Sequence, residues 1–246
     1  MKKLFLSLCS ILLLGISQVQ AQYYFSVTAS TKVVFSPGNL QYHCKNKTWR
    51  FAPNQYTVIG AANKNISSTY NGYIDLFGWG TSGWNNGNTY YQPYSNQNTT
   101  PTIDELRKNP IPAHYGPKSG SNTNLSLTGT YANADWGVYN VISGYSKGTW
   151  RTLTQSEMEY IFKTRTNADK KYSLATVNGV KGMMLLPDNW TLPSDMTFSP
   201  AQTNYTVNVY TTAQWQKMEQ NGAIFLPAAG ARVSKDGVSG TYDVKK

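Results

Sequence analysis

The sequence predicts an α+β fold made of short antiparallel strands, two helices and long ordered loops. Three observations carry this. Tyr, Trp, Asn, Thr and Gly are abundant, aromatic residues make up 13% of the chain and charged residues only 14%, a mixture that suits strands and turns better than long helices. Apolar runs of four to seven residues end at Pro, Gly or Asn, as at Ser36-Pro37-Gly38-Asn39 and Leu226-Pro227. Helical periodicity with start and stop signals is clear at two places, after Thr154 and after Tyr210.

The elements follow in chain order. Lys32-Val33-Val34-Phe35 is a short strand stopped by the Ser36–Asn39 turn. Leu40–His43 and Thr48–Phe51 form a hairpin closed by Lys45-Asn46-Lys47, and Tyr56–Ile59 is expected as a further strand ended by Gly60. From Ala61 to Asp135 periodicity fades. Between Trp84 and Ala134 the charged residues are Asp104, Glu105, Arg107, Lys108 and Lys118. The aromatics there argue for structure around Ile74–Trp84, with looser chain expected over Asn96–Asn124. Thr154-Gln155-Ser156-Glu157 is a capping box, in which hydroxyl and carboxylate each satisfy a free helix amide. Met158, Ile161, Phe162 and Arg165 then share one face. Leu174–Val177 and Val180–Leu186 flank Asn178-Gly179, the preferred pair for a tight hairpin turn. A second helix spans roughly Thr212–Asn221 with Trp215 and Met218 inward, and Ala223–Leu226 is a buried strand.

The N-terminus reads as an export signal over residues 1–21. Lys2 and Lys3 precede an apolar run from Leu4 to Ile16, and Val19-Gln20-Ala21 places small residues where a signal peptidase cuts. The run is shorter than the roughly 20 residues needed to cross a bilayer. Cleavage at Ala21-Gln22 leaves a single domain over residues 22–246, and the expected location is secreted, periplasmic or cell-surface. This reading excludes an integral membrane protein. Cys9 leaves with the signal, so Cys44 is the mature chain's lone cysteine and no internal disulfide supports the fold. The formal net charge is +10, and +8 once Lys2 and Lys3 leave with the signal, but the basic residues are scattered and no nucleic-acid motif accompanies them. Such a charge on an exported protein favours anionic envelope or acidic polysaccharide over nucleic acid.

Four blocks carry a family resemblance: Phe35-Ser36-Pro37-Gly38-Asn39-Leu40-Gln41-Tyr42, Ile74-Asp75-Leu76-Phe77-Gly78-Trp79-Gly80-Thr81-Ser82-Gly83, Ala134-Asp135-Trp136-Gly137 with Trp150-Arg151-Thr152-Leu153-Thr154, and Gly222-Ala223-Ile224-Phe225-Leu226-Pro227-Ala228-Ala229-Gly230. Together they resemble secreted proteins of anaerobic Gram-negative bacteria that carry a major paralogous domain named after Fibrobacter succinogenes. That group is similar to a branch of the C-type-lectin-like fold shared with the formylglycine-generating sulfatase-modifying factors. The resemblance therefore implies a lectin-like core. Two departures limit it. The modifying factors work through cysteines, and Cys44 lies outside any matching motif, so that chemistry is not carried over. Members of the group usually continue with further strands after the Gly230 region, whereas here Ser239-Gly240-Thr241-Tyr242 is followed almost at once by the end. C-terminal strands are thus expected to be missing, which would leave an unpaired sheet edge open to self-association.

Asp75, Asp135 and Asp188 are the carboxylates to consider as catalytic acids, since Asp75 and Asp135 sit among aromatics and glycines as glycosidase acids can. Asp beside a glycine turn also ordinarily holds loop amides. No catalytic residue is assigned. His43 and His114 lack partners at ligand spacing, so no metal or other cofactor is expected. His43 and Cys44 are adjacent on a strand and point to opposite faces, which makes Cys44 a buried thiol rather than a nucleophile. Trp84, Tyr90, Tyr91 and Tyr94, with Asp75 and Asp135, form the candidate ligand-binding set for a glycan or protein ligand, because flat rings with polar edges suit sugars and partner surfaces. The leading expectation is a secreted or cell-surface binding protein recognising glycan or envelope components. The alternatives are a carbohydrate-active or protein-modifying enzyme, and a degenerate fragment without activity.

Overall fold

A computed structural model describes residues 23–65, 67–84, 91–94, 127–234 and 242–245. The expected export signal, Tyr90, His114 and the Asn96–Asn124 stretch lie outside the described residues. The fold is mixed α+β, with small sheets and few helices.

Strands β1 (Phe25–Ser26) and β2 (Lys32–Val33) pair antiparallel. Strand β3 (Leu40–His43) lies between β4 (Thr48–Phe51) and β5 (Tyr73–Ile74), both antiparallel to it. Side chains alternate across β3 as a period of two requires. Tyr42, with Cys44 just beyond the strand, enters a core with Trp49, Ile74 and Ile142. On the other face, His43 packs its ring edge on Tyr73 at 4.8 Å.

The larger sheet has the order β8-β6-β7-β9, built from β6 (Tyr172–Val177), β7 (Val180–Leu185), β8 (Val209–Tyr210) and β9 (Ile224–Pro227). Asn178 (φ 48°) and Gly179 (φ 77°) make the tight turn between β6 and β7, the left-handed pair that the twist of a two-residue hairpin demands. Helix α1 (Trp136–Tyr139), helix α2 (Gln155–Glu159) and helix α3 (Thr212–Gln220) complete the regular elements. Trp215 and Met218 of α3 are fully buried with Met184 and Phe225. Gly182 on β7 faces the backbone of Leu226 and the ring of Phe225, where a Cβ would collide.

Two buried polar groups knit this half together. Asn208 donates to Ser173 Oγ (2.8 Å) and to the Ser199 carbonyl (2.8 Å), and accepts from the Ser199 amide (2.9 Å), so the segment before β8 is sewn to β6. Arg165, 3% exposed, follows a single π-turn over Tyr160–Thr164 that continues α2. Its guanidinium meets Asp188 at 3.3 Å. Asp188 also accepts from the amide (2.9 Å) and hydroxyl (2.6 Å) of Ser26. Burial pushes the Asp188 carboxyl up, but the Ser26 hydrogen bonds and the Arg165 and Lys171 charges outweigh it and hold it below its ordinary value.

Several expectations are met. Both hairpins, the Thr154 capping box, the inward Trp215 and Met218, and the buried Cys44 thiol are all present. Others need correction. Tyr56–Ile59 is not a strand. The Asn39 side-chain NH2 donates to the carbonyls of Gln55 (3.2 Å) and Thr57 (2.9 Å), the Thr57 amide closes a turn on Asn54, and the Ile59 amide donates to Asp75 (2.8 Å), so these groups are engaged by loop contacts instead of a strand ladder. The strand expected over Lys32–Phe35 ends at Val33, and Phe35 instead packs its ring on Phe25 at 4.7 Å. The sheets are not wholly antiparallel: β8 runs parallel to β6. Near the C-terminus, β10 (Ala231–Ser234) pairs antiparallel with β11 (Tyr242–Lys245).

Candidate functional site

Asp135 organises the loop-rich half. It caps α1, its Oδ1 accepting from the amides of Gly137 (2.9 Å) and Val138 (3.2 Å), while Oδ2 accepts from the Thr152 amide (2.8 Å). One carboxylate therefore fixes the start of α1 against the strand-like segment that leads into α2. Gly137 makes the approach workable, because its Cα faces the Trp150 backbone with no space for a Cβ. Asp135 is 2% exposed, and both its oxygens are engaged by amides.

Asp75 performs a similar task nearer β5. It accepts from the Ile59 amide (2.8 Å) and from the Asn63 side-chain amide (2.7 Å), and Asn63 in return accepts from the amides of Asp75 (2.8 Å) and Leu76 (2.9 Å). Burial lifts the Asp75 carboxyl above its usual range, against the opposing pull of these donors. Both carboxylates thus hold loop backbone, and in neither does an oxygen stand paired with a second acid. Among the described residues no group of three His, Cys, Asp or Glu gathers as metal ligands, and no helix is long and apolar enough to cross a membrane.

The geometry these clamps produce is aromatic. From the core outward, Tyr42 meets Trp49 (ring centroids 4.7 Å), Trp49 meets Phe77 (5.3 Å), Phe77 meets Trp136 (5.3 Å) and Trp136 meets Trp79 (6.0 Å). A second stack runs from Phe51 to Trp150 (5.0 Å) and on to Tyr145 (5.5 Å). The contacts are tilted or edge-to-face, the arrangement the ring quadrupole prefers. Both stacks belong to one core cluster and both surface, at Trp79 (39% exposed) and Tyr145 (47% exposed). Ser143 Oγ accepts from the Phe51 amide (2.8 Å), which ties the Tyr145 loop to β4.

The sequence-predicted ring set is only partly a surface. Trp84 is half-buried and stacks edge-on against Tyr91 at 5.0 Å, with Gly83 donating to the Tyr91 carbonyl (2.7 Å). Tyr91 is 8% exposed. Tyr94 packs against the cluster of Tyr42 and Cys44. Cys44 is fully buried, and burial pushes its thiol up to about 11, so it is not a thiolate at neutral pH. The ring set expected from the sequence left out Trp79, Trp150 and Tyr145. The signal that marks the Tyr145 turn is Ser143-Gly144, both with positive φ. Ser82 and Asn140, also missed, lock the Trp79–Trp84 loop to α1: Ser82 donates to the Asn133 carbonyl (2.6 Å), and Asn140 to the carbonyls of Ser82 (2.9 Å) and Trp136 (3.0 Å).

Compared with known proteins, the chain finds no match among family models, curated proteins or solved structures.

Proposed function

We propose that this chain is an exported or cell-surface binding protein with a C-type-lectin-like core, which recognises glycan or envelope polysaccharide through exposed aromatic rings. The observation that carries the reading is the emergence of two buried aromatic stacks at Trp79 and Tyr145. A ring braced from behind loses little freedom when it stacks on the apolar face of a sugar, and its polar edge can bond the hydroxyls. Trp84 adds a half-buried rim to the same loop. The formal charge of +8 that remains once Lys2 and Lys3 leave with the signal (20 basic against 12 acidic residues) supports an anionic surface as the place of encounter.

The test is a glycan array, with isolated envelope polysaccharide beside it, probed with residues 22–246 and with Trp79→Ala and Tyr145→Ala. The expected result is saturable binding that each variant weakens by about tenfold or more, while the domain stays folded. Binding that both variants retain in full, or no binding to any glycan or envelope fraction, would overturn the reading.

A further inference from the structure

A cleft of about 320 Å³ opens where β1, β2 and the end of α3 meet, with Tyr23, Phe25, Phe35 and Ile224 among its walls. Gln55, Glu219 and Gln220 are polar residues of its lining. Gln55 is 4% exposed. Its side-chain oxygen accepts from the Phe225 amide (2.5 Å), while its NH2 group donates to nothing among the described residues. Glu219 sits on the last turn of α3 and lines the same cleft. Its carboxylate takes no hydrogen bond or ion pair among the described residues, and burial raises it above the ordinary range. Gly222, with φ +87°, turns the chain sharply after α3 and brings the Tyr23 ring against its Cα, where a Cβ would collide. The cleft wall is therefore a consequence of that glycine.

Groups of this kind are costly to leave unmatched. A half-desolvated carboxylate at the negative end of a helix dipole favours a cation. The Gln55 NH2, on a side chain otherwise buried, opens to the cleft and can donate to an acceptor placed there. Both groups line the same cleft, beside the apolar side chains of Phe25, Phe35 and Ile224.

We propose that this cleft binds a primary ammonium group next to a carbonyl on a hydrophobic body, the pattern presented by the free N-terminus of a peptide that begins with an apolar residue. The ammonium meets Glu219, the carbonyl accepts from the Gln55 NH2, and the side chain fills the space between Phe25, Phe35 and Ile224. The site uses none of the rings of the Trp79 and Tyr145 stacks and stands independently of glycan binding.

Leucinamide is the probe, titrated into residues 22–246 by calorimetry and ligand-observed NMR. Saturable binding is expected, with N-acetylleucinamide, which lacks the charge, at least about tenfold weaker. Isoamylamine, which keeps the charge and the aliphatic body but has no carbonyl, is expected to fall between them. Glu219→Gln should weaken leucinamide by about tenfold or more and leave N-acetylleucinamide unchanged. Absence of saturation up to about 10 mM, equal binding of the acetylated probe, or undiminished binding by Glu219→Gln would each overturn the proposal. Should Glu219→Gln disturb the fold, the three probes on the unaltered chain decide alone.

Discussion

In the β6–β9 sheet every residue of Tyr172–Val177 pairs with one of Val180–Leu185, and β9 covers the far side of β7 through Gly182–Leu185. Around β3, by contrast, β5 contributes only the pairs Tyr42–Ile74 and His43–Tyr73. The first half is held by backbone ladders over an aliphatic and aromatic core. The second is held by side chains that reach for backbone: Asn63, Asp75, Ser82, Asp135 and Asn140 each fix a loop that no ladder supports. Ladders satisfy amides as a by-product of the sheet, whereas loops need a dedicated acceptor or donor at each turn. The difference teaches where binding surface can arise. A ladder buries its rings on one face, while clamped loops can turn Trp79 and Tyr145 outward without losing the structure behind them.

The largest expected effect sharpens this contrast. Trp215 is fully buried between Tyr210 and Phe225, so Trp215→Ala should cost about 3–5 kcal/mol. Trp79→Ala, at the exposed end of its stack, should cost about 0.5–1.5 kcal/mol. Urea denaturation of both variants measures the two values side by side. A Trp79→Ala loss equal to that of Trp215→Ala would show that the exposed ring is a core residue after all, and the division between the halves would fail.

Arg165 and Asp188 carry the next effect. Asp188→Ala leaves the Arg165 guanidinium, whose side chain is 1% exposed, without its acid, and a loss of about 3–5 kcal/mol is expected. The double variant Arg165→Leu, Asp188→Ala should recover part of it, because no buried charge then remains. A double variant no more stable than Asp188→Ala would place the cost in the Ser26 hydrogen bonds rather than in the ion pair.

Asp135 tests the loop half directly. Asp135→Ala removes the acceptor of three amides and should cost about 1–3 kcal/mol. Asp135→Asn keeps one oxygen for Gly137 and Val138 and should fall between the two, with glycan binding retained. Loss of a glycan-cleaving turnover in Asp135→Asn, with binding and stability intact, would instead make this carboxylate catalytic.

What was legible in the sequence was local. Thr154 with Glu157, and Asn178 with Gly179, state their geometry within four residues, and Trp215 with Met218 marks an inward face by its helical spacing. Thr211 and Gln214 form a second capping box at the same spacing, which reading from the apolar residues alone passed over. The clamps were not legible, because their partners are distant: Asp75 and Asn63 are 12 residues apart, Asp135 and Thr152 17, and Ser26 and Asp188 162. The β-like run Tyr56–Ile59 fails as a strand for the same reason, since Asn39 and Asp75 engage Thr57 and Ile59 from 18 and 16 residues away. Composition announced an aromatic-rich region but could not tell which rings face out. Tyr91 and Trp79 look alike in sequence, and one is packed beneath Trp84 while the other crowns a stack.

The smallest effect lies where the two halves join, at the start of α2. Glu157 closes the capping box through the Thr154 amide (2.8 Å) and receives both arms of the Arg151 guanidinium (2.7 and 2.6 Å). The Arg151 hydrogen bonds hold its carboxyl at about 2, against an ordinary 4.5. Because the folded-state value lies below the unfolded one, this contribution is complete above about pH 4.5 and is lost as pH falls toward 2. Arg151 is 42% exposed, so solvent screens the ion pair, and the cap rather than the charge sets the scale. Glu157→Ala should therefore cost about 0.5–2 kcal/mol at neutral pH and leave glycan binding unchanged. Glu157→Gln, which can still accept from Thr154, should cost less. Melting curves of the three proteins at a series of pH values provide the check. The unaltered chain should lose its advantage over Glu157→Ala as the pH drops below about 4.5. An advantage that stayed constant down to pH 2 would mean that ionisation of Glu157 adds nothing and that its side chain caps the helix equally well when protonated.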